Sequence, residues 1–296
     1  MTPVLVRQHL PHTEPAPRAD LGARARDWSE IQERMLVPLY EAVHERLDVG
    51  PGTRLLSLGC GSGLALVMAA SRGAALTGVE PSSPERLALA RERLLVPESR
   101  GAHARADIRL TDRLPIDRLP ADRLPTDRPE ARTPAYTLVT AFEPIGRVAG
   151  DTEELAGLLA AATPLARRGA PVVLVGWGPP ERCATTAVLR IAARAADQDR
   201  GTVRLRPALR DDLEDVARRA GLRPDGSGRV ACPFGYADVD SALKGLLSTG
   251  LFDAAVAASD QAQVEKETAE ALHPYRRPDG TVWMPNVFRY LIARTP

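Results

Sequence analysis

Short unbroken apolar runs alternate along this chain with longer stretches whose apolar residues recur at three- and four-residue steps. The runs are Leu55–Leu58 (the start of "LLSLGCGSG"), Ala75–Pro81, Ala135–Glu143 and Ala170–Gly178, and each predicts a buried strand. Ala102–Leu110, interrupted by His103, Arg105, Asp107 and Arg109, predicts a third strand in chain order. The stretches between predict helices. In the first, Ala23 to Leu47, the residues Trp28, Ile31, Met35, Leu36, Leu39, Tyr40 and Val43 mark one apolar face. Further helices are predicted from Leu64, over Ser83–Leu95, over Asp151–Gly169 (opened by an approximate capping box at Asp151 and Thr152), over Glu181–Ala196 and over Arg210–Ala220. Strands alternating with helices at this interval imply an α/β fold, a doubly wound and mostly parallel sheet covered on both faces.

Three segments stand outside that rhythm. Residues 1–22, rich in Pro, His and charge, predict a flexible arm ahead of a single domain over 23–296. Residues 111–133 repeat Asp-Arg-Leu-Pro with a proline every fifth position, which forbids a regular helix and predicts an expanded loop. Residues 237–279 again carry helical spacing, at Leu243, Leu246, Leu247 and Leu251 and then at Ala254, Val256 and Val264.

Composition narrows the function classes. The 296 residues include 39 basic and 38 acidic side chains, a net charge of +1, so no basic excess marks a nucleic-acid partner. Cys60, Cys183 and Cys232 are odd in number and far apart, which predicts neither a disulfide framework nor a metal site. The amino terminus lacks the apolar core of a signal peptide, and no run reaches the roughly 20 apolar residues of a membrane span. A cytoplasmic chain with no membrane partner is expected.

The glycines Gly59, Gly61 and Gly63 follow the first strand directly and lead into a helix whose free N–H groups face the same spot. Glu80 ends the second strand, where an acid accepts a pair of ribose hydroxyls. Asp107 is expected at the end of the third, where a carboxylate takes the amine of adenine with Ile108 against the ring. Ala141, Phe142 and Glu143 end the fourth. A nicotinamide site expects a third glycine at position 64, where this chain has Leu64.

With those residues in view, the sequence resembles the class I S-adenosylmethionine-dependent methyltransferases, through "LLSLGCGSG", "GVEPS", "RADIRL", "YTLVTAFE" and "GAPVVLVGWG". The resemblance implies a Rossmann-like sheet of seven strands, the last antiparallel. Gly280–Thr295 looks like that strand and Arg229–Ala237 like its hairpin partner, with 237–279 as a helical cap inserted between them. It implies S-adenosylmethionine as cofactor, S-adenosylhomocysteine as product, and a cofactor site of Ser57, Gly59, Cys60, Gly61, Gly63, Glu80, Pro81, Asp107, Ile108, Ala141 and Phe142, with Trp28 as a cover. Where the family carries an acid two residues before the first glycine, this chain has Ser57, whose hydroxyl would bond the cofactor's ammonium.

The expected reaction moves a methyl group to an oxygen or nitrogen of a small molecule or peptide. "FEPIG" is not the Pro-Pro-Tyr type of motif found in members that methylate base amines. Glu143, His273 and Tyr275 are the candidate bases. Each has a structural alternative: a solvated loop acid, a loop histidine beside a proline, a ring packed under the cap. Tyr40, Trp177 and Tyr236 are candidate substrate walls or core. Monomer and homodimer are both open. A non-catalytic binding protein of the same fold, and an NAD-dependent oxidoreductase, are the alternative functions.

Overall fold

Along the first strand, β1 (Arg54–Leu58), Leu55 packs into one hydrophobic cluster while Leu56 and Leu58 pack into another. On β5 (Pro171–Trp177) the same alternation sends Val173 and Val175 one way and Val172 and Leu174 the other. That period of two is the mark of a sheet buried on both faces. The computed structural model describes residues 20–95, 107–115, 136–196, 206 and 208–296. The amino-terminal arm up to residue 19 and most of the Asp-Arg-Leu-Pro repeat lie outside the described residues.

Between those strands lie β2 (Ala75–Val79), β3 (Ile108–Thr111) and β4 (Leu138–Ile145), and the chain ends on β9 (Val287–Arg294). The seven-stranded sheet has the order β3-β2-β1-β4-β5-β9-β6, where β6 is Arg223–Ala231. The pairs from β3 to β5 are parallel, and β9 runs antiparallel to both β5 and β6. The expected doubly wound, seven-stranded sheet with an antiparallel last strand is therefore present. The helices that cover it are α1 (Leu21–Asp27), α2 (Val37–Arg46), α3 (Leu64–Ser71), α4 (Pro84–Leu95), α5 (Asp151–Ala162), α6 (Thr185–Ala196) and α7 (Asp212–Arg219).

The first predicted helix is helical throughout but not uniform. Asp20 caps α1 by accepting from the Ala23 N–H at 2.9 Å; a π-helical segment follows at Trp28–Gln32, then a 3-10 turn at Glu33–Leu36, then α2. Pro38, in the first turn of α2, has no N–H to return to the preceding turn, which accounts for the break there. The capping box expected at Asp151 is absent. The N-cap of α5 is Gly150, and the Asp151 carboxylate instead accepts from the N–H groups of Gly146, Arg147 and Val148, folding the loop before the helix.

The predicted cap contains α8 (Val239–Leu247), α9 (Asp253–Ala258) and α10 (Gln261–Leu272), followed by a 3-10 turn at His273–Tyr275. It stands on a two-stranded ladder of β7 (Phe234–Tyr236) and β8 (Val282–Met284). The hairpin partner predicted over Arg229–Ala237 is thus two strands. β6 starts earlier, at Arg223, and pairs with β9, while β7 pairs with β8. Ala231 lies opposite Val287, next to the Phe288–Trp177 pair at the carboxyl end of β5, so the cap leaves and rejoins the sheet at that end. Among the described residues, no helix is long and apolar enough to cross a membrane.

Candidate functional site at the carboxyl ends of the central strands

The glycine turn is tied to the tip of the neighbouring strand. The Cys60 N–H donates to the Val79 carbonyl at 3.0 Å, and the Gly61 N–H donates to Glu80 Oε2 at 2.8 Å. The Ser82 N–H occupies the other oxygen, Oε1, at 3.0 Å, and Glu80 is buried. Each carboxylate oxygen keeps one lone-pair direction free. Gly63 begins α3 with φ 86°, and an added Cβ there would meet Ala90 Cβ at 3.1 Å, so the glycine sets how closely α3 approaches α4. At Gly61 (φ 57°) an added Cβ would lie 2.5 Å from Cη2 of Trp28: the indole is pressed against the turn.

A buried polar cluster holds the amino-terminal segment in that position. Glu33 accepts from the Ser62 hydroxyl in a short hydrogen bond, from Arg93 Nη1 at 2.9 Å and from the Leu64 N–H at 3.3 Å. Arg93 also donates to Ser62 Oγ at 2.7 Å and to Ser29 Oγ at 2.5 Å. Burial pushes the Glu33 carboxyl up, against the pull of the Ser62 bond and the Arg93 charge.

Around these groups lies a cavity of about 460 Å³. One end holds Ser57, the glycine turn, Glu80, Pro81 and Arg86, with Trp28 over it; the other holds Arg147, Trp177, Phe234 and Phe288; Ala141, Phe142, Glu143 and Tyr40 also line it. Arg86 stacks on Trp28, its guanidinium carbon 4.0 Å from the ring centre. Glu143 is solvent-exposed where it lines the cavity, with protein packed densely on its other sides. Burial pushes its carboxyl up, Arg86 opposes that shift, and Glu80 adds to it. Tyr40 packs on Phe142 with ring centres 4.9 Å apart, and burial drives its phenol well above the usual range. Burial likewise raises the Cys60 thiol to about 12, so it stays protonated and contributes its backbone.

Most of the residues singled out in the sequence line this cavity, and several do not. Asp107 precedes β3: its carbonyl accepts from the Leu76 N–H at 2.7 Å, at the amino end of β2, and its side chain is exposed beside Arg109. Ile108 starts the strand, opposite Leu76. The strand ends at Thr111, one residue past the expected end and four past Asp107; the Thr111 carbonyl accepts from the Glu80 N–H at 3.0 Å, so Asp112 is the acid at the tip. His273 is exposed and Tyr275 partly buried on the turn after α10, and neither lines the cavity. Tyr236 is buried behind the wall, its hydroxyl donating to Gln32 Oε1 at 3.0 Å. Gly63 sits outside, against α4. Glu33, Arg86 and Arg147 were not singled out. Ser29, Gln32 and Glu33 continue the stripe of Leu36, Leu39, Tyr40 and Val43 at three- and four-residue steps, which is the signal that finds them.

A larger recess, of about 850 Å³, lies on the far side of Trp177, lined by Pro180, Arg182, Gly228 and Arg229 among others. It does not touch the glycine turn or its carboxylates, so the chemistry-bearing groups belong to the smaller cavity.

No protein-family model matches this sequence, and neither does any curated protein. Solved structures do resemble it. A protein of Bacillus halodurans C-125, provisionally named a methyltransferase, is 13% identical, with 87% of this chain and 98% of that one covered and a TM-score of 0.51. Geranyl diphosphate C-methyltransferase of Streptomyces coelicolor A3(2), solved with Mg²⁺, geranyl diphosphate and S-adenosylhomocysteine, is 16% identical, with 89% and 80% covered and a TM-score of 0.44. YjhP of Escherichia coli is 19% identical, with 93% and 99% covered and a TM-score of 0.48. The strand order and the likeness to the Bacillus halodurans structure agree: this chain has the Rossmann-like fold of the class I methyltransferases.

Proposed function

We propose that this protein is an S-adenosylmethionine-dependent methyltransferase acting on an oxygen or nitrogen of a small molecule or peptide. The observation that carries the reading is the convergence of the glycine turn, the buried Glu80 and Glu143 on one cavity at the carboxyl ends of adjacent strands. The residues fit the cofactor. Glu80 offers two oxygens with lone pairs to spare for a ribose diol, and Asp112, exposed at the tip of β3 outside the cavity lining, is the acid available for the adenine role expected of Asp107.

When bound, the cofactor supplies an electrophilic methyl group on a sulfonium. The work left to the protein is alignment and exclusion of water. Trp28, Phe142 and Tyr40 form apolar walls for that purpose. Glu143, the one cavity-lining member of the three candidate bases, takes the proton released by a hydroxyl or amine acceptor. Its raised proton affinity makes it a better proton acceptor than an ordinary carboxylate.

Calorimetry with S-adenosylhomocysteine and with NAD tests the ligand, and turnover with methyl-labelled cofactor and a metabolite pool tests the reaction. Binding of S-adenosylhomocysteine and a labelled product are expected. Tight binding of NAD alone would end this assignment.

A further inference from the structure

Arg147, in the loop after β4, is 4% exposed and lines the cavity. Its Nη2 donates to Thr186 Oγ1 at 2.8 Å, and its guanidinium carbon lies 4.8 Å from the centre of the Trp177 ring. Its Nε has no partner. Among the described residues no carboxylate pairs with it. The nearest acid in sequence, Asp151, commits Oδ2 to three backbone N–H groups, including that of Arg147 itself, and Oδ1 to Arg206. Two other partly buried arginines are paired, Arg93 with Glu33 and Arg289 with Glu214; Arg86, also on the cavity, makes no ion pair among the described residues but has the Glu143 and Glu80 charges near it. A guanidinium remains protonated at any ordinary pH, so the fold keeps a buried positive charge on the cavity wall without a counter-charge, an arrangement that is costly unless an anion completes it.

We infer that Arg147 binds an anionic group, a carboxylate or a phosphate, whose apolar body rests against Trp177, Phe234 and Phe288. On the proposed methyl-transfer reading that molecule is the acceptor, held at the end of the cavity away from Glu80. Trp177 and Phe288 lie 4.6 Å apart between ring centres, and Phe234 is 6.1 Å from each, a wall suited to a flat or branched apolar group. Thr186 and the Trp177 ring fix the guanidinium in place, and the planar fork matches either anion.

The test titrates the full chain, with and without saturating S-adenosylhomocysteine, with sodium benzoate, phenyl phosphate and benzamide, followed by ligand-observed NMR. At least one anion should bind about tenfold or more tightly than benzamide. Arg147→Gln should abolish that preference, Arg147→Lys should retain part of it, and neither should change the affinity for S-adenosylhomocysteine. Should Arg147→Gln not fold, the comparison of wild type with Arg147→Lys still reads the loss of the fork. Equal binding of all three probes, binding of none, or a preference that survives Arg147→Gln overturns the inference. So does a loss of S-adenosylhomocysteine affinity with benzoate unaffected, since the anion would then be the cofactor's own carboxylate. Failure of the wild type to bind S-adenosylhomocysteine would sink the methyltransferase reading instead, and the ligand-free titrations would still decide this one.

Discussion

Arg86 stacks on Trp28, 4.0 Å from guanidinium carbon to ring centre, and the edge of the same indole presses on Gly61. Three elements meet at this one ring: the amino-terminal segment, the glycine turn and α4. Gly61→Ala places a methyl 2.5 Å from Cη2 on a backbone with φ 57°, so either the ring or the turn must move. A loss of about 1–3 kcal/mol of stability is expected, with S-adenosylhomocysteine binding reduced in parallel. Thermal melting and calorimetry read both; a wild-type melting temperature would contradict this packing.

Glu33 and Arg93 form a largely buried pair that anchors the amino-terminal segment. Glu33→Ala strands Arg93 beside two serine hydroxyls, and removing one member of such a pair costs about 3 kcal/mol or more. The segment over Leu21–Leu36 should then become a site of limited proteolysis. Unchanged protection would show that apolar packing alone holds it.

Glu143 must be ionised to act as a base, and burial raises its pKa above the ordinary carboxylate value. Methyl transfer to a hydroxyl or amine should therefore rise with pH across a limb displaced upward from that value. Glu143→Gln should remove the limb and lower kcat by about a hundredfold. The same carboxyl favours the folded state most below its unfolded pKa, and that contribution fades as pH climbs through the folded one. A pH profile identical in Glu143→Gln would assign the proton transfer elsewhere.

Glu80→Ala should weaken S-adenosylhomocysteine binding by about 2 kcal/mol or more, because a charged acceptor for ribose hydroxyls is lost. The Gly61 and Ser82 N–H groups lose their partner in the same step. Calorimetry measures the first effect, and equal affinity in the variant would move the ribose away from this strand tip.

His44 is fully buried, edge-on to Phe142, and neither ring nitrogen has a partner. Burial first, and Arg72 second, lower its pKa from 6.5 to about 4. A depressed value means that its contribution to stability is complete above pH 6.5 and is lost as pH falls toward 4, roughly 3 kcal/mol in all. His44→Leu should be as stable as wild type at pH 7 and should flatten denaturant stability over that acid range. Parallel acid profiles would place the titrating group elsewhere.

The sheet was legible because β1 and β5 are nearly pure apolar runs and because the three glycines punctuate a strand-to-helix turn. Glu80 and Glu143 followed, each read at a strand tip. The third strand misled because "ADIRLTD" carries its alternating Ile108 and Leu110 between two aspartates, and a period of two does not say which end pairs beside Glu80. His273 and Tyr275 are reactive residue types in an insert, yet their distance from the cavity depends on how three short helices pack. Arg147 gave no signal at all, since charge without a partner is a property of the folded surroundings. Only assembly shows that Asp151 turns its oxygens to the backbone.

Ala231 and Val287 face each other across the β6–β9 pair. Because the polypeptide departs and returns side by side there, with the Cys232 N–H donating to the Asn286 carbonyl at 2.9 Å, everything between is a bracketed excursion. Lengthening or replacing an excursion with adjoining ends adds little closure entropy. Any replacement must still refill the core places of Phe234, Leu246 and Phe252 and keep the Ser248 carbonyl that Arg86 reaches, so the ceiling over the aromatic end and the glycine-turn end change together.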